Sequence, residues 1–331
     1  VEEAASSYAS SFFFLYTERR EYFLNQANVL LTADSGSRFG LRTRAWIRKH
    51  QGWMLVIPCL VIMLGIGVFP LIFSIGISFI RWEPKIPGRP FVGLANYKDI
   101  LTSIEFWTAM RTTAIIVVAG VTIEFFFGLR LALIMAGKLR GKRFFMAVLM
   151  LPVMMVPIIV GYTWRILWHP AYGPINQILG WFAGHRVTIS WLTKAKTAFV
   201  ALIITEFWQW TPFMFLILLA GLTSVNPELM EAAAIDGASR WQAFWKVTIP
   251  VIRPVITVAI LIRTLEALKL FDIIFITTWG GPGFQTQSIA FYLYRTGARF
   301  FRMSHTAAGS WVFLIIVAIV ISFAVRQLQE K

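Results

Sequence analysis

The chain has 331 residues, 57% hydrophobic and only 14% charged, with a formal net charge of +15. A typical soluble domain carries about a quarter charged residues, so this composition excludes an ordinary soluble globular protein. One cysteine, Cys59, and four scattered histidines (His50, His169, His185, His305) exclude a disulfide framework and a metal site built on Cys or His pairs.

Residues 1–37 show no interpretable pattern, and Phe12–Leu15 is too short to span a membrane, so no function is assigned there. Five of the seven Lys/Arg in residues 1–52 fall between Arg38 and Lys49. Basic residues hold the cytoplasmic side, which predicts a cytoplasmic N-terminal tail over 1–52. The run Trp53–Ile80 follows without a small-residue cleavage site and reads as an uncleaved anchor.

Five more apolar runs come after it: Trp107–Ala136, Phe144–Trp168, Thr197–Leu222, Val255–Trp279 and Thr306–Val325. Each suffices for a hydrocarbon core of about 30 Å, which takes roughly 20 apolar residues per helix. A barrel would instead alternate apolar and polar residues in short segments. The pattern predicts an all-α integral membrane protein with six transmembrane helices over 53–325 and a cytoplasmic tail over 326–331. The segments this order places inside carry sixteen Lys/Arg against ten outside, with four in Lys138–Arg143 alone. The same asymmetry explains the net charge without nucleic acid.

Proline and glycine punctuate the spans at Pro58, Gly65, Gly67, Pro70, Pro152, Pro157 and Pro212. Packing kinks and hinges are both open readings of these positions. No inverted repeat argues a secondary-transporter architecture.

The connector 223–254 is polar. Asn226-Pro227-Glu228 is a helix start: asparagine caps, proline suits the first turn, and a carboxylate complements the positive helix end. Ala232–Ala234 favour helix and Gly237 permits the left-handed turn that ends it. A second helix is expected from Ser239, with Trp241, Phe244, Trp245 and Thr248 on one face, stopped by Pro250 and Pro254. Two short helices at an angle can form a docking knob, with Leu229, Met230 and Ala233 as apolar contacts and Glu231 and Arg240 as flanking charges. A Trp-rich elbow lying on lipid headgroups is the other reading.

In the fifth span Arg263, Glu266, Lys269 and Asp272 recur every third residue with alternating sign, close enough on a helix to pair. Ionisable groups inside a span face a bundle interior or a watery cavity, so the stripe is either a solute pathway or a self-neutralising network at a subunit interface. Glu206, Gln209 and Trp210 in the fourth span form a second polar-aromatic group, which Tyr162, Trp164 and Trp168 of the third can join. Trp168 is assigned to the interfacial aromatic belt, Glu124 and Arg130 to structural roles. An aromatic body with a polar rim suits a sugar.

Glu231-Ala232-Ala233, Gly237 and Val247-Thr248-Ile249-Pro250 fall at the spacing of the coupling loop of binding-protein-dependent ATP-binding-cassette importers. Phe91–Tyr97, Gly173-Pro174-Ile175-Asn176 and Gly280-Gly281-Pro282-Gly283 occur in the family's order, and the chain resembles the first of the two permeases of its carbohydrate-uptake branch (maltose/glycerol-phosphate-like) over about residues 50–328. The outer connector 169–196 is far shorter than in the best-known maltose member, so a maltose assignment is not carried over.

The resemblance implies a multi-pass subunit of the bacterial inner membrane that moves a saccharide, polyol or glycerol-phosphate inward by alternating access. It implies as partners a homologous second permease, two ATPase subunits and an extracytoplasmic solute-binding protein. It also implies that Glu228, Leu229, Met230, Glu231, Ala232, Ala233, Asp236, Gly237 and Arg240 face the ATPase. Arg263, Glu266, Lys269, Asp272, Glu206, Gln209, Trp210 and Tyr162 are the pathway candidates. No G-x-x-x-x-G-K-[ST] string is present, so ATP and Mg belong to the partner and this chain is expected to bind no cofactor and catalyse nothing. The competing class is an ion-coupled transporter acting alone through Glu266 and Asp272.

Overall fold

The computed structural model describes residues 52–53, 56–137 and 139–329. Residues 1–51 of the expected N-terminal tail, with its basic cluster, lie outside the described residues, as does Lys138. The chain divides into two compact units, Val1–Pro70 and Leu71–Lys331. The first contributes most of helix α1 (Val56–Ser78), including a π-helical turn at Leu64–Val68.

The second unit is helical throughout; among its described residues the only bridge pairs Ile80 with Phe91. Its helices are α2 (Ala95–Thr102), α3 (Ile104–Ala136), α4 (Lys142–Met154), α5 (Pro157–Leu167), α6 (Pro174–Ala183), α7 (Ala195–Thr223) and α8 (Pro227–Ile235). Then come α9 (Arg240–Ala243), α10 (Ile249–Ala267), α11 (Asp272–Thr277), α12 (Ile289–Tyr294) and α13 (Met303–Gln329). Among the described residues five helices are long and apolar enough to cross a membrane, and α4 with α5 passes the same test as a pair bent by 95°.

The core forms where α3 and α7 lie side by side. Gly128 permits this approach: a Cβ there would sit 3.0 Å from the Phe215 backbone nitrogen and 3.0 Å from Met214 Cγ. Small residues at such crossings let dispersion contacts build up between helices that gain nothing by hiding from lipid. Val121, Ala132 and Met135 then pack on Met214, Leu218 and Leu219, with Ala259 and Ala267 of α10 closing the cluster. Large apolar side chains such as Phe126, Ile134, Val258 and Ile319 face outward. That distribution suits a lipid solvent.

Two expected spans are not single helices. The third breaks at Met155–Val156, because the residue before a proline is driven out of the α region. The fifth unwinds over Leu268–Phe271 and restarts at Asp272. Conversely, Pro250 and Pro254 do not end the connector helix. The chain stays helical from Arg240 to Ala267 through a π-helical turn at Phe244–Thr248, in which the Ile249 amide donates to Phe244 O. Pro250 then falls in the first turn of α10, where its missing N–H costs little. The extra residue in the π turn rotates the face beyond it, so Thr248 is buried while Trp241 and Trp245 stay exposed; they do not share one face.

Candidate functional site

The two breaks meet. Pro157 opens α5 and Leu270–Ile273 frame the fifth-span break, and both line one cavity of about 310 Å³ together with Glu206, Gln209 and Trp210 of α7 and Glu266 and Lys269. That is at the small end of the range for ligand sites. Helix α5 is held against α11 by a close approach, Gly161 to Ile276, and by Arg165 Nη1, which donates to Ile276 O at 3.1 Å.

Each break frees backbone carbonyls, and a buried side chain serves one at each. Gln209 Nε2 donates to Met155 O at 3.2 Å, and Ser288 Oγ donates to Leu270 O at 2.5 Å. Irregular backbone at membrane depth persists only where it is satisfied by protein or lines a cavity, and both conditions hold here.

Behind the cavity wall lies a buried ionic clamp. Arg263 Nε donates to Glu124 Oε2 at 2.6 Å and Nη2 to Glu124 Oε1 at 3.0 Å, a bidentate pair across α10 and α3. Nη2 also donates to Glu206 Oε1 at 2.5 Å, tying in α7. The three side chains are 1%, 0% and 4% exposed, and the guanidinium lies 4.8 Å over the Trp210 ring. The stripe expectation is therefore corrected: Arg263 pairs across three helices and not with Glu266, because its side chain points into the bundle. Glu266 instead accepts from Lys269 at 2.8 Å, an exposed pair at the cavity rim. Lys269 falls within the break and Asp272 beyond it, so only Arg263 and Glu266 share α10.

Six of the eight pathway candidates line the cavity: Glu206, Gln209, Trp210, Glu266, Lys269 and Asp272. Arg263 stands behind them, and Tyr162 is exposed elsewhere on α5. Trp168 does not face outward as a belt residue would. It is 2% exposed, donates to Thr205 Oγ1 at 3.2 Å and packs on Trp164 and Trp191, since the bend turns α5 inward. Sequence reasoning missed Leu270, Phe271 and Ser288, whose roles exist only because the fifth span breaks.

The connector is a helix–turn–helix. Asn226 Oδ1 accepts from the Glu228 amide at 3.0 Å. At the far end Gly237 has φ +75°, the Ala238 amide donates to Ala233 O at 2.9 Å and the Gly237 amide to Ala234 O at 3.1 Å, a Schellman cap. Ser239 and Gln242 close a capping box on α9. Leu229, Met230, Glu231, Ala232 and Arg240 are exposed, but Ala233 is buried and cannot serve as an outward contact. Ile235, 86% exposed, forms the apolar tip of the connector.

The remaining motifs are structural staples. Asn96 Nδ2 donates to Ser78 O and Ile80 O, both at 2.8 Å, capping the end of α1. Asn176 Nδ2 donates to Pro170 O and Ile189 O, while its Oδ1 accepts from Trp191 Nε1. The glycine-rich turn holds a cis Gly281–Pro282 bond and leads into the buried Thr286–Ser288 segment that reaches the fifth-span break. Nearby, Arg295 pairs with Glu105, which also accepts from Gln287 Nε2.

Comparison with known proteins identifies the family. Residues 126–330 match the family described as binding-protein-dependent transport system inner membrane component. The chain is 35% identical to the trehalose/maltose transport system permease protein MalF of Thermococcus litoralis, over 84% of this chain and 92% of that one. It is 36% identical to the trehalose transport system permease protein SugA of Mycobacterium tuberculosis, over 74% of this chain and 78% of the relative. A chain of a bacterial ABC transporter involved in import of the acidic polysaccharide alginate superposes with a TM-score of 0.75 at 23% identity, covering 87% of this chain and 99% of its own.

Proposed function

Because the chain belongs to the family of binding-protein-dependent transport system inner membrane components, we propose that it is a permease subunit carrying a sugar-like solute through the cavity at the two helix breaks. The observation that carries this reading is the meeting of the third- and fifth-span breaks at a polar-aromatic cavity. Trp210 and Phe271 offer ring faces, and Glu206, Gln209, Lys269 and Asp272 offer hydrogen bonds, the pairing that a saccharide or polyol presents in complement. At 310 Å³ the cavity holds part of a site, and a homologous second permease completes it.

The connector is the handle. Its exposed residues Leu229, Met230, Ile235 and Arg240 stand on a capped elbow, and ATPase subunits on the cytoplasmic side are its partners. From Arg240 to Ala267 the backbone is continuously helical, so a push on α9 is transmitted to Arg263 and the fifth-span break beside the cavity. Closure of the ATPases on ATP thus favours one of two cavity states, the differential binding that coupling requires. The solute arrives from a solute-binding protein, both chain ends lie in the cytoplasm, and this chain performs no catalysis and binds no nucleotide or metal.

The test is reconstitution with candidate partner permease and ATPase. A Leu229→Cys or Ile235→Cys variant is expected to crosslink to the ATPase, and uptake to need ATP. Uptake by the chain alone under a proton gradient would establish the ion-coupled alternative, and crosslinks that never reach the ATPase would remove the connector's role.

A further inference from the structure

Two polar side chains in the cavity wall are buried and half-used. Glu206 is 3% exposed and spends Oε1 on Arg263, while its Oε2 has no partner among the described residues. Gln209 is 1% exposed and spends Nε2 on Met155 O, while its Oε1 likewise has none. One helical turn apart on α7, each keeps one acceptor oxygen without a partner among the described residues. Buried acceptors without donors cost free energy, and a hydroxyl-bearing ligand removes that cost.

The charge around them has one sign in excess. Glu124, Glu206, Glu266 and Asp272 face Arg263 and Lys269, formally four carboxylates against two cations. Arg263 is held by two carboxylates, and Lys269, at the exposed rim, is partly neutralised by Glu266. A ligand carboxylate or phosphate would meet net negative charge where it needs positive.

We infer that this cavity is a filter for uncharged hydroxyl-rich solutes: Glu206 Oε2 and Gln209 Oε1 take two hydroxyl protons, and the acidic excess turns away uronates and sugar phosphates. The inference rests on the cavity being the solute path, and it narrows that reading by removing the glycerol-phosphate class. At an effective dielectric near 20, a unit negative charge about 7 Å from a net charge of minus two is disfavoured by a hundredfold or more.

The experiment uses the purified assembled transporter without its binding protein, whose own selectivity is thereby left out. Equilibrium binding is measured for matched pairs: glucose and glucuronate, trehalose and trehalose 6-phosphate, maltose and maltobionate, glycerol and glycerol 3-phosphate. At least one neutral member is expected to bind, with its anionic partner at least tenfold weaker. The rim double variant Glu266→Gln, Asp272→Asn, which leaves the clamp intact, is expected to shrink that ratio below threefold. Gln209→Met is expected to weaken the neutral member at least tenfold while the subunits still co-purify. An anion bound as well as its neutral partner, a ratio unmoved by the rim variant, or no neutral binding overturns the filter. If ATP-driven uptake persists in any of those cases, the permease reading stands without it; if uptake is also absent, both fall.

Discussion

Replacing Arg263 by methionine keeps the bulk of the side chain and removes the charge that holds three helices together. Glu124 and Glu206 are then left as buried carboxylates without a counter-ion, at 0% and 4% side-chain exposure. Breaking a buried pair by removing one partner costs about 3–5 kcal/mol, because the uncompensated charge stays behind. Relief by protonation is no cheaper: forcing an ordinary glutamate to be neutral at pH 7 costs about 3.7 kcal/mol. At a few degrees per kcal/mol, the melting midpoint of the detergent-purified complex is expected to fall by roughly 5–15 °C, read as the fraction still monodisperse after heating. The triple variant Arg263→Met, Glu124→Gln, Glu206→Gln buries no unpaired charge and is expected to recover most of the loss. A single variant melting within about 2 °C of the parent would falsify the view that the clamp holds the bundle.

Other perturbations follow from other contacts. Gly128→Val places a Cβ 3.0 Å from Met214 and the Phe215 backbone, and overpacking of this kind costs about 1–3 kcal/mol, visible as a lower melting midpoint. Gly237→Ala must adopt φ +75°, at about 1–2 kcal/mol of strain, and is expected to reduce solute-stimulated ATPase activity of the complex more than its basal activity. Equal loss of both would argue against a coupling role. Asn176→Leu strips partners from Pro170 O, Ile189 O and Trp191 Nε1, and limited proteolysis is expected to open the 169–196 connector several times faster.

The locations of the membrane helices were legible because a lipid solvent imposes a long apolar run, a constraint that any reader of residues 53–325 can apply. The connector was legible for a different reason: Asn226, Gly237 and Ser239 act on backbone groups within four residues of themselves, so their effect does not wait for tertiary structure. Its end was misread, since a proline looks like a stop until a π-helical turn ahead of it moves Pro250 into the first turn of the next helix.

Within the site, Glu206, Gln209 and Trp210 could be singled out as polar and aromatic residues in an apolar run, but their division of labour could not. Whether Arg263 pairs three residues along its own helix or across to Glu124, 139 positions away, is decided by which helices become neighbours. Spacing alone makes both geometries available. The same holds for Leu270 and Ser288, ordinary residues until a broken helix leaves a carbonyl that the other can reach. The linear order thus determined what had to be buried in lipid and where the backbone turned. Only the packed bundle decided which buried charges neutralise one another and which oxygens remain for a solute, because those outcomes depend on distances between segments that no local rule sets.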